Sequence, residues 1–386
     1  MSALKIGVPI ETQANEKRVA LTPEGVKSLV EKKFEVIVQK GAGVKSGNAD
    51  EAYQTSGATL ADSAEAVYAA ADLVVKVNGP NDADGGADAL RQGGAILSFL
   101  FPTANQKTVQ ALAARNVDSF AMELIPRITR AQSMDALSSM STIAGYRGAL
   151  LAATHLPKFF PMFMTAAGTL PPARVFVIGA GVAGLQAIAT CKRLGAIVEA
   201  FDVRPAVKEQ VESLGARFVE IDLKMDDAED ASGYAKEVSG DTHLKELELI
   251  GKRVAKVDAV ITTALIPGRP APVLITKDMV KHMALGSVIV DLAAPAGGNC
   301  EATVPGQIVT VDGVTIVGST TLLSDMAADA SRMYSKNITE FLLNLAPEGE
   351  IKIDMEDQII RETLVTHEGK VTHEPTRMAL EKGGGA

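Results

Sequence analysis

The stretch Val175–Arg204, VFVIGAGVAGLQAIATCKRLGAIVEAFDVR, reads as a strand, a tight turn, a helix and a second strand that ends in an acid. Gly179, Gly181 and Gly184 satisfy GxGxxG where the first strand gives way to the helix. In that setting the first glycine permits the turn and the second lets backbone N–H groups approach a pyrophosphate. The third allows close helix–strand packing, and the helix N-terminus favours negative charge. Asp202 closes the next strand, 18 residues beyond Gly184, where a carboxylate can hydrogen-bond an adenosine ribose. GxGxxG alone occurs in many surface loops, and a glycine-rich connection that only packs tightly is the alternative. Strand, turn, helix, strand and terminal acid in this order predict a dinucleotide site. A carboxylate at position 202 repels the 2′-phosphate of NADP and favours NAD. Arg204, a residue type that can accommodate that phosphate, is read here as a pyrophosphate or adenine-side contact.

The same alternation extends in both directions. Downstream, Arg217–Ile221, Ala259–Thr262, Ser287–Asp291 and Thr315–Val317 read as further strands. Upstream, Leu4–Val8, Phe34–Val38, Leu73–Val77, Ala95–Leu100 and Val117–Met122 are short apolar runs separated by amphipathic segments. One of these is Thr22–Lys32, where Pro23 follows a threonine suited to cap a helix. Strands alternating with helices imply right-handed βαβ units and parallel sheets. A long helical pattern covers Met134–His155, a proline-rich connector (FFPMFMTAAGTLPPA) follows, and another helix is expected over Leu322–Leu345. The polar stretch Asp222–Asp241 is expected to be an exposed loop.

Composition narrows the function. The chain has 386 residues, 47% of them hydrophobic and 22% charged, which suits an ordinary globular protein of two or three domains. A net charge of −9 without a basic block speaks against a nucleic-acid backbone as partner. Cys191 and Cys300 form no CxxC pair, and the five histidines show no metal-ligand spacing. No disulfide framework or metal site is expected, and a reducing compartment fits. The opening MSALKIGVPIE lacks the apolar core of a secretory signal. Val175–Cys191 is apolar over nearly the length of a membrane helix, but its three glycines make it a strand, turn and helix. A soluble chain is expected.

Further stretches carry a family resemblance. GVPIETQANEKRVALTPEGV, residues 7–26, resembles the opening of the alanine dehydrogenase and nicotinamide nucleotide transhydrogenase family. AMELIPRITRAQSMDALSSMSTIAGYRG, residues 121–148, and the glycine turn with its flanks are similar to the transhydrogenase branch. The likeness continues through DVRPAVKEQVESLGA, GYAKE and ITTALIPGRPAPVLI to DLAAPAGGNCE, and so spans most of the chain. It implies two Rossmann-like α/β domains with parallel sheets, joined by long helices, with NAD(H) in the cleft between them. The expected boundaries are 1–136 plus 320–386 for the first domain and 137–319 for the NAD-binding one.

The resemblance also implies a site. RITRAQSMD matches a family loop that folds over the nicotinamide end of the cofactor, with Arg127, Gln132, Asp135 and Ser138 in positioning roles and Ile128, Thr129, Ser133 and Met134 beside them. From composition alone the same segment is a helix N-terminus, with Ser133 as cap and Asp135 in the first turn. The two readings are compatible. Val182 would offer its N–H to the pyrophosphate, Asp202, Val203 and Arg204 would meet the adenosine, and Ala264 and Leu265 would border the cofactor. Gly233 and Tyr234 match a loop that closes on bound nucleotide.

Within the family, alanine dehydrogenases need a carboxylate clamp and a proton-handling group. Arg18 and Lys76 match that branch's substrate-binding pair, but AILSFLFPTAN carries Phe99 and Phe101 where its catalytic histidine is expected. The alternative reading of Arg18 and Lys76 is as structural ion pairs or surface charges. Transhydrogenation needs no acid or base in this chain, only positioning of a nicotinamide. The branch implies an NADP(H)-binding partner, a membrane-embedded proton-translocating partner and a homodimer, which would place this chain in the cytoplasm on the inner face of a membrane. Alanine dehydrogenase and a non-catalytic NAD(H)-binding subunit remain the alternatives.

Overall fold

The computed structural model of the chain describes residues 3–220, 240–265 and 270–383. The chain divides into two compact units, Met1–Met140 with Leu323–Ala386, and Ser141–Leu322.

The first unit holds an eight-stranded sheet, counted over the described residues. Its parallel body runs, across the sheet, Asp118–Ala121, Ala95–Phe99, Leu73–Asn78, Lys5–Val8, Glu35–Gln39 and Thr59–Ala61. The central strands read as unbroken apolar runs because helices cover both of their faces. Thr59–Ala61 is a strand that the sequence reading did not include. Leu364–His367 and Lys370–Val371 add an antiparallel edge beyond Asp118–Ala121. Glu368 and Gly369 turn that hairpin with φ of 47° and 74°, the left-handed pair of a type I′ turn.

Helix Pro23–Glu31 starts where expected, with Thr22 at the N-cap position and Pro23 at the first turn. The expected cap does not form. Thr22 instead gives its hydroxyl to Ser335 Oγ at 3.2 Å, and its N–H donates to the same oxygen at 3.0 Å. Ser331 Oγ accepts from the Val19 N–H at 3.0 Å. Both serines lie on helix Ala327–Leu345, which begins later than the sequence reading placed it, after a 3-10 turn at Ser324–Met326.

The second unit has seven strands among the described residues, in the order Arg217–Phe218, Ile197–Phe201, Arg174–Ile178, Ala259–Thr262, Val288–Asp291, Val314–Val317 and Ile308–Val311. All neighbours are parallel except the last pair. Ile308–Val311 was not anticipated, although Asp312-Gly313, with φ of 50° and 79°, is a two-residue hairpin signal. The proline-rich connector is also more ordered than expected, since Phe163–Thr165 and Gly168–Leu170 pair as an exposed hairpin. Of the stretch expected to be a loop at Asp222–Asp241, residues 222–239 lie outside the described residues, and helix Gly240–Val254 follows.

Helix Ala136–His155 is apolar all round and packs closely in its second half. A Cβ at Gly145 would stand 2.1 Å from the Ala183 carbonyl oxygen, and one at Gly148 would stand 2.8 Å from a Leu292 methyl. Cys191 and Cys300 are both buried, and burial pushes their thiols up to about 12 and about 11. Neither is a reactive thiolate at neutral pH. Among the described residues no helix is long and apolar enough to cross a membrane.

In the first unit, the partly buried Glu123 carboxylate accepts the Leu100 N–H at 3.1 Å and the Phe101 N–H. Phe101 holds a left-handed φ of 44° there. Burial outweighs those bonds and raises the Glu123 pKa to about 7. An acid whose folded pKa lies above its unfolded value of 4.5 makes folding less favourable as pH rises from 4.5 towards 7. Glu123→Gln keeps an acceptor for both N–H groups and removes the charge. The variant should be more stable than the unaltered chain at pH 8 and indistinguishable from it near pH 4.5, as read by urea unfolding across that range.

Candidate functional site

In both sheets the strand order reverses direction beside the first strand of the unit, and ligands of open α/β sheets bind at the carboxyl end of that switch point. In the second unit it lies between Arg174–Ile178 and Ala259–Thr262. Gly179, Gly181 and Gly184 each do something different there. Gly179 has φ of 94°, and a Cβ on it would meet Thr263 Oγ1 at 2.5 Å. A Cβ on Gly184 would lie 1.9 Å from the Gly179 carbonyl oxygen, so helix Val182–Arg193 seats against the turn only without a side chain. Gly181 has an ordinary φ of −72°, and a Cβ there would have only Arg204 Nη2, 3.9 Å away, for a neighbour. That open space fronts the first N–H groups of the helix, which have no intrahelical partner.

Asp202 is buried and fully engaged. One carboxylate oxygen accepts from the Ala180 N–H at 2.7 Å and from Arg204 Nη2 at 2.9 Å. The other accepts from the Arg204 N–H and Nε, both at 2.9 Å. The sequence places Arg204 near the pyrophosphate or the adenine, whereas here its guanidinium forks onto Asp202. Val203 is half-buried beside the pair, and Val182 is exposed at the helix start.

Facing the glycine turn, Thr263 donates its N–H to the Ile178 carbonyl at 2.8 Å and its hydroxyl to the Gly179 carbonyl at 3.1 Å. Ala264 and Leu265 follow, the first half-buried and the second 46% exposed. Ala264 is held from the side by Asn299, whose role the sequence reading did not recognise. Asn299 in turn sits on a segment organised by Asp291, a buried acid that accepts from Thr262 Oγ1, the Ala293 and Cys300 N–H groups and Thr303 Oγ1. The available signal was an acid closing a strand, the same signal that singles out Asp202.

RITRAQSMD belongs to the first unit. Thr129–Met134 forms a 3-10 turn, with Arg127, Thr129, Gln132 and Ser133 exposed and Ile128 half-buried. Met134 is 6% exposed and packs inward. The cap of the following helix is Asp135, not Ser133. Asp135 accepts from the Ser138 N–H at 2.8 Å and from its hydroxyl at 2.5 Å. Ser133 is one turn too early, and its carbonyl accepts from Asn337 Nδ2 at 2.8 Å. Arg130 pairs with Asp357, and Asn344 bonds to both. The Arg130 hydrogen bond lowers the Asp357 pKa to about 2. The turn is thus fastened to helix Ala327–Leu345 by residues the sequence reading did not single out. Gly233 and Tyr234 lie outside the described residues.

The switch point of the first unit lies between Lys5–Val8 and Leu73–Asn78, and side chains of the unit fill it. Glu11 accepts from the Val77 N–H at 2.6 Å, and burial raises its pKa. Arg18 forks onto Glu16 at 2.8 and 2.6 Å, with both residues buried. Burial works against the Glu16 charge, yet the Arg18 bonds prevail and bring its pKa down to about 2. Lys76, 1% exposed, pairs with Asp84. Tyr334 closes the group, donating its hydroxyl to the Lys76 carbonyl at 2.9 Å and stacking on Phe99 at 5.1 Å. Arg18 and Lys76 are therefore structural ion pairs in this structure.

Residues 7–144 match the family model described as alanine dehydrogenase/PNT, N-terminal domain, and residues 148–374 match its C-terminal domain. The chain belongs to the alanine dehydrogenase/PNT family. Within the family it is 50% identical over 376 residues to a polypeptide of the NAD(P) transhydrogenase subunit alpha of Rhodospirillum rubrum, covering 96% of this chain and 98% of that one. The alanine dehydrogenase of Mycolicibacterium smegmatis is 31% identical, with 97% and 96% covered. Among solved structures, transhydrogenase from Sinorhizobium meliloti superposes with a TM-score of 0.86 at 43% identity, over 95% of this chain and 99% of that one. An L-alanine dehydrogenase with 24% identity and a TM-score of 0.81 shares the fold. The expected α/β class, with two Rossmann-like domains and parallel-dominated sheets, is what these relatives and the strand orders show.

The three glycines make separable demands. Gly184→Ala should lower the melting temperature by more than about 5 °C or prevent folding, because backbone has to move to admit the methyl. Gly181→Ala should leave it within about 2 °C, since the methyl enters open space. Thermal unfolding followed by circular dichroism distinguishes these outcomes, and equal losses would contradict the division of roles.

Proposed function

We propose that this chain is the NAD(H)-binding component of a proton-translocating NAD(P) transhydrogenase. The contrast between the two switch points carries the reading. The second unit leaves open space at Gly181 before a helix N-terminus, with a strand-end acid beside it, and these features suit a dinucleotide. The first unit fills the corresponding place with Glu11, Glu16, Arg18 and Tyr334.

In this proposal the N–H of Val182 meets the pyrophosphate, and Asp202, Val203 and Arg204 meet the adenosine. Ala264 and Leu265 border the cofactor from the other side of the switch point. Arg127, Gln132, Asp135 and Ser138 orient the nicotinamide end, with Ile128, Thr129, Ser133 and Met134 shaping their turn. Gly233 and Tyr234 belong to a closing loop. Bound NAD(H) supplies or accepts the hydride directly, opposite NADP(H) on a partner. Nothing in this chain then has to move a proton, and its residues act by holding one ring in place and excluding water.

Three partners complete the proposal: an NADP(H)-binding component, a membrane-embedded component that translocates protons, and a second copy of this chain. Together they would hold the chain on the cytoplasmic face of a membrane. The exposed Phe163–Leu170 hairpin supports the second copy. Phe163, Met164 and Leu170 are 41%, 78% and 43% exposed, with Phe159 at 56% beside them. An unpaired apolar hairpin of this kind favours burial against another chain.

Alanine dehydrogenation is the second reading, favoured by the presence of Arg18 and Lys76. Their engagement by Glu16 and Asp84, and Phe101 in place of an acid–base side chain, weigh against it. The purified chain should bind NADH in a fluorescence titration yet show no steady NADH oxidation with pyruvate and ammonium. Turnover would replace the proposal with the second reading. With partner subunits restored, Gln132→Asn should slow hydride transfer about tenfold or more while changing NADH affinity less than about threefold. Equal losses would point to a simple binding role. Replacing residues 163–170 with a short glycine–serine turn should convert the dimer to monomer in sedimentation velocity.

A further inference from the structure

The side chain of Asn299 makes three hydrogen bonds, all to backbone and all within the second unit. Its Oδ1 accepts from the Ala264 N–H at 3.0 Å, and its Nδ2 donates to the Ala264 carbonyl at 2.9 Å and to the Pro272 carbonyl at 2.8 Å. The residue is fully buried. Only one amide orientation serves this set, because the reverse would aim an oxygen at two carbonyls. The main-chain carbonyl of Asn299 also accepts from the Leu274 and Ile275 N–H groups at 2.8 and 3.0 Å. One residue therefore grips the chain at Ala264 and again at Pro272–Ile275.

Ala264 directly follows Thr263, whose hydroxyl rests on the Gly179 carbonyl. A Cβ on Gly179 would lie 3.4 Å from the Ala264 nitrogen, so the gripped residue adjoins the glycine turn itself. Asp291 fixes the approach of Asn299 by accepting the N–H of the next residue, Cys300, at 3.0 Å and the Thr303 hydroxyl at 2.7 Å. An asparagine amide satisfying both polar groups of one residue reproduces what a neighbouring strand would do. It does so at a place where the sheet has ended and no strand is available.

We infer that Asn299 is a positioning residue for the nucleotide site, acting through Ala264 to set the wall that faces the glycine turn. The inference rests on the NAD(H) reading and deepens it. Asn299 touches neither the open space at Gly181 nor Asp202. Its effect on a ligand is to keep the Thr263–Leu265 backbone at one distance from the Gly179–Gly184 turn, so that a dinucleotide meets a preformed crevice.

The test compares Asn299→Asp and Asn299→Ala with the unaltered chain by NADH fluorescence titration, at a temperature where circular dichroism shows each to be folded. At pH 8 both variants should bind NADH about tenfold or more weakly, because the Ala264 backbone loses its partner or faces a carboxylate. On lowering the pH to 6, protonation gives the new aspartic acid one O–H donor and one acceptor, the pair that Ala264 requires. Asn299→Asp should then recover most of the lost affinity, while Asn299→Ala should not. If Asn299→Asp does not fold at pH 8, the loss in Asn299→Ala and the affinity of Asn299→Asp at pH 6 carry the same comparison. Folded variants that bind NADH within about twofold of the unaltered chain would overturn the inference, as would a recovery shared by Asn299→Ala. Failure of the unaltered chain to bind NADH would instead overturn the NAD(H) reading on which the inference stands.

Discussion

A methyl group on Gly184 would sit 1.9 Å from the carbonyl oxygen of Gly179, and no rotamer relieves that contact because both partners are backbone. The second unit is arranged around this approach. With the helix start pressed onto the turn, the Ala180 N–H points at Asp202 and the Gly179 carbonyl points at the Thr263 hydroxyl. The same seating puts the Ala183 carbonyl against Gly145, so helix Ala136–His155 needs a glycine of its own to lie there. Each neighbour has either given up a side chain or turned one into a hydrogen bond to the turn. Close packing of this kind leaves few small adjustments available.

The two units share a strand order and treat it in opposite ways. In both, the chain leaves the first strand of the sheet at the point where the order reverses. In the second unit it leaves through glycines and meets a helix N-terminus. In the first it leaves through Pro9–Arg18, a segment that returns Glu11, Glu16 and Arg18 to the crevice as its contents. Burying two carboxylates is tolerable because each is answered: Glu16 by the fork of Arg18, and Glu11 by backbone N–H groups with the Lys76 charge nearby. Fold alone does not separate a binding unit from a filled one. The residues at the switch point do.

Most of the sheet bodies were legible in the sequence because parallel strands covered on both faces read as unbroken apolar runs bounded by turn residues. The edges were not. Thr59–Ala61 has an exposed and half-buried pattern, Ile308–Val311 is half in solvent, and Lys370–Val371 is only a pair of residues. Such strands exist because a neighbour offers hydrogen bonds, and that neighbour is remote or anonymous in the sequence. Glycine spacing located the turn and its acid because backbone sterics act over a few residues. What lay beyond reach was long-range bonding. Thr22 looks like a cap until Ser335, 313 residues on, takes its hydroxyl. Ser133 and Asp135 are both acceptable caps, and only the helix start at Ala136 decides for Asp135. Asn299 carries no local signal, because its partners Ala264 and Pro272 lie 35 and 27 residues away.

Asp202 shows how a residue correctly located by its motif can differ from the motif's account of it. The motif offers a carboxylate waiting for a ribose, but the structure shows one with four donors already on its two oxygens. A carboxylate has about four lone-pair sites, so a hydroxyl that bonds to it has to displace a donor. Two of the four are backbone N–H groups, of Ala180 and Arg204, held by the turn and the strand end. The other two belong to the Arg204 side chain, which is the part free to swing. In the NAD(H) reading, ribose hydroxyls therefore exchange with the guanidinium, releasing a cation beside a doubly charged pyrophosphate. A 2′-phosphate has no hydroxyl to offer at that position and would keep the guanidinium while facing the carboxylate. The Asp202–Arg204 pair thus favours the unphosphorylated ribose for a reason the acid alone does not supply, and Arg204 changes from a complication of the motif into part of its selectivity.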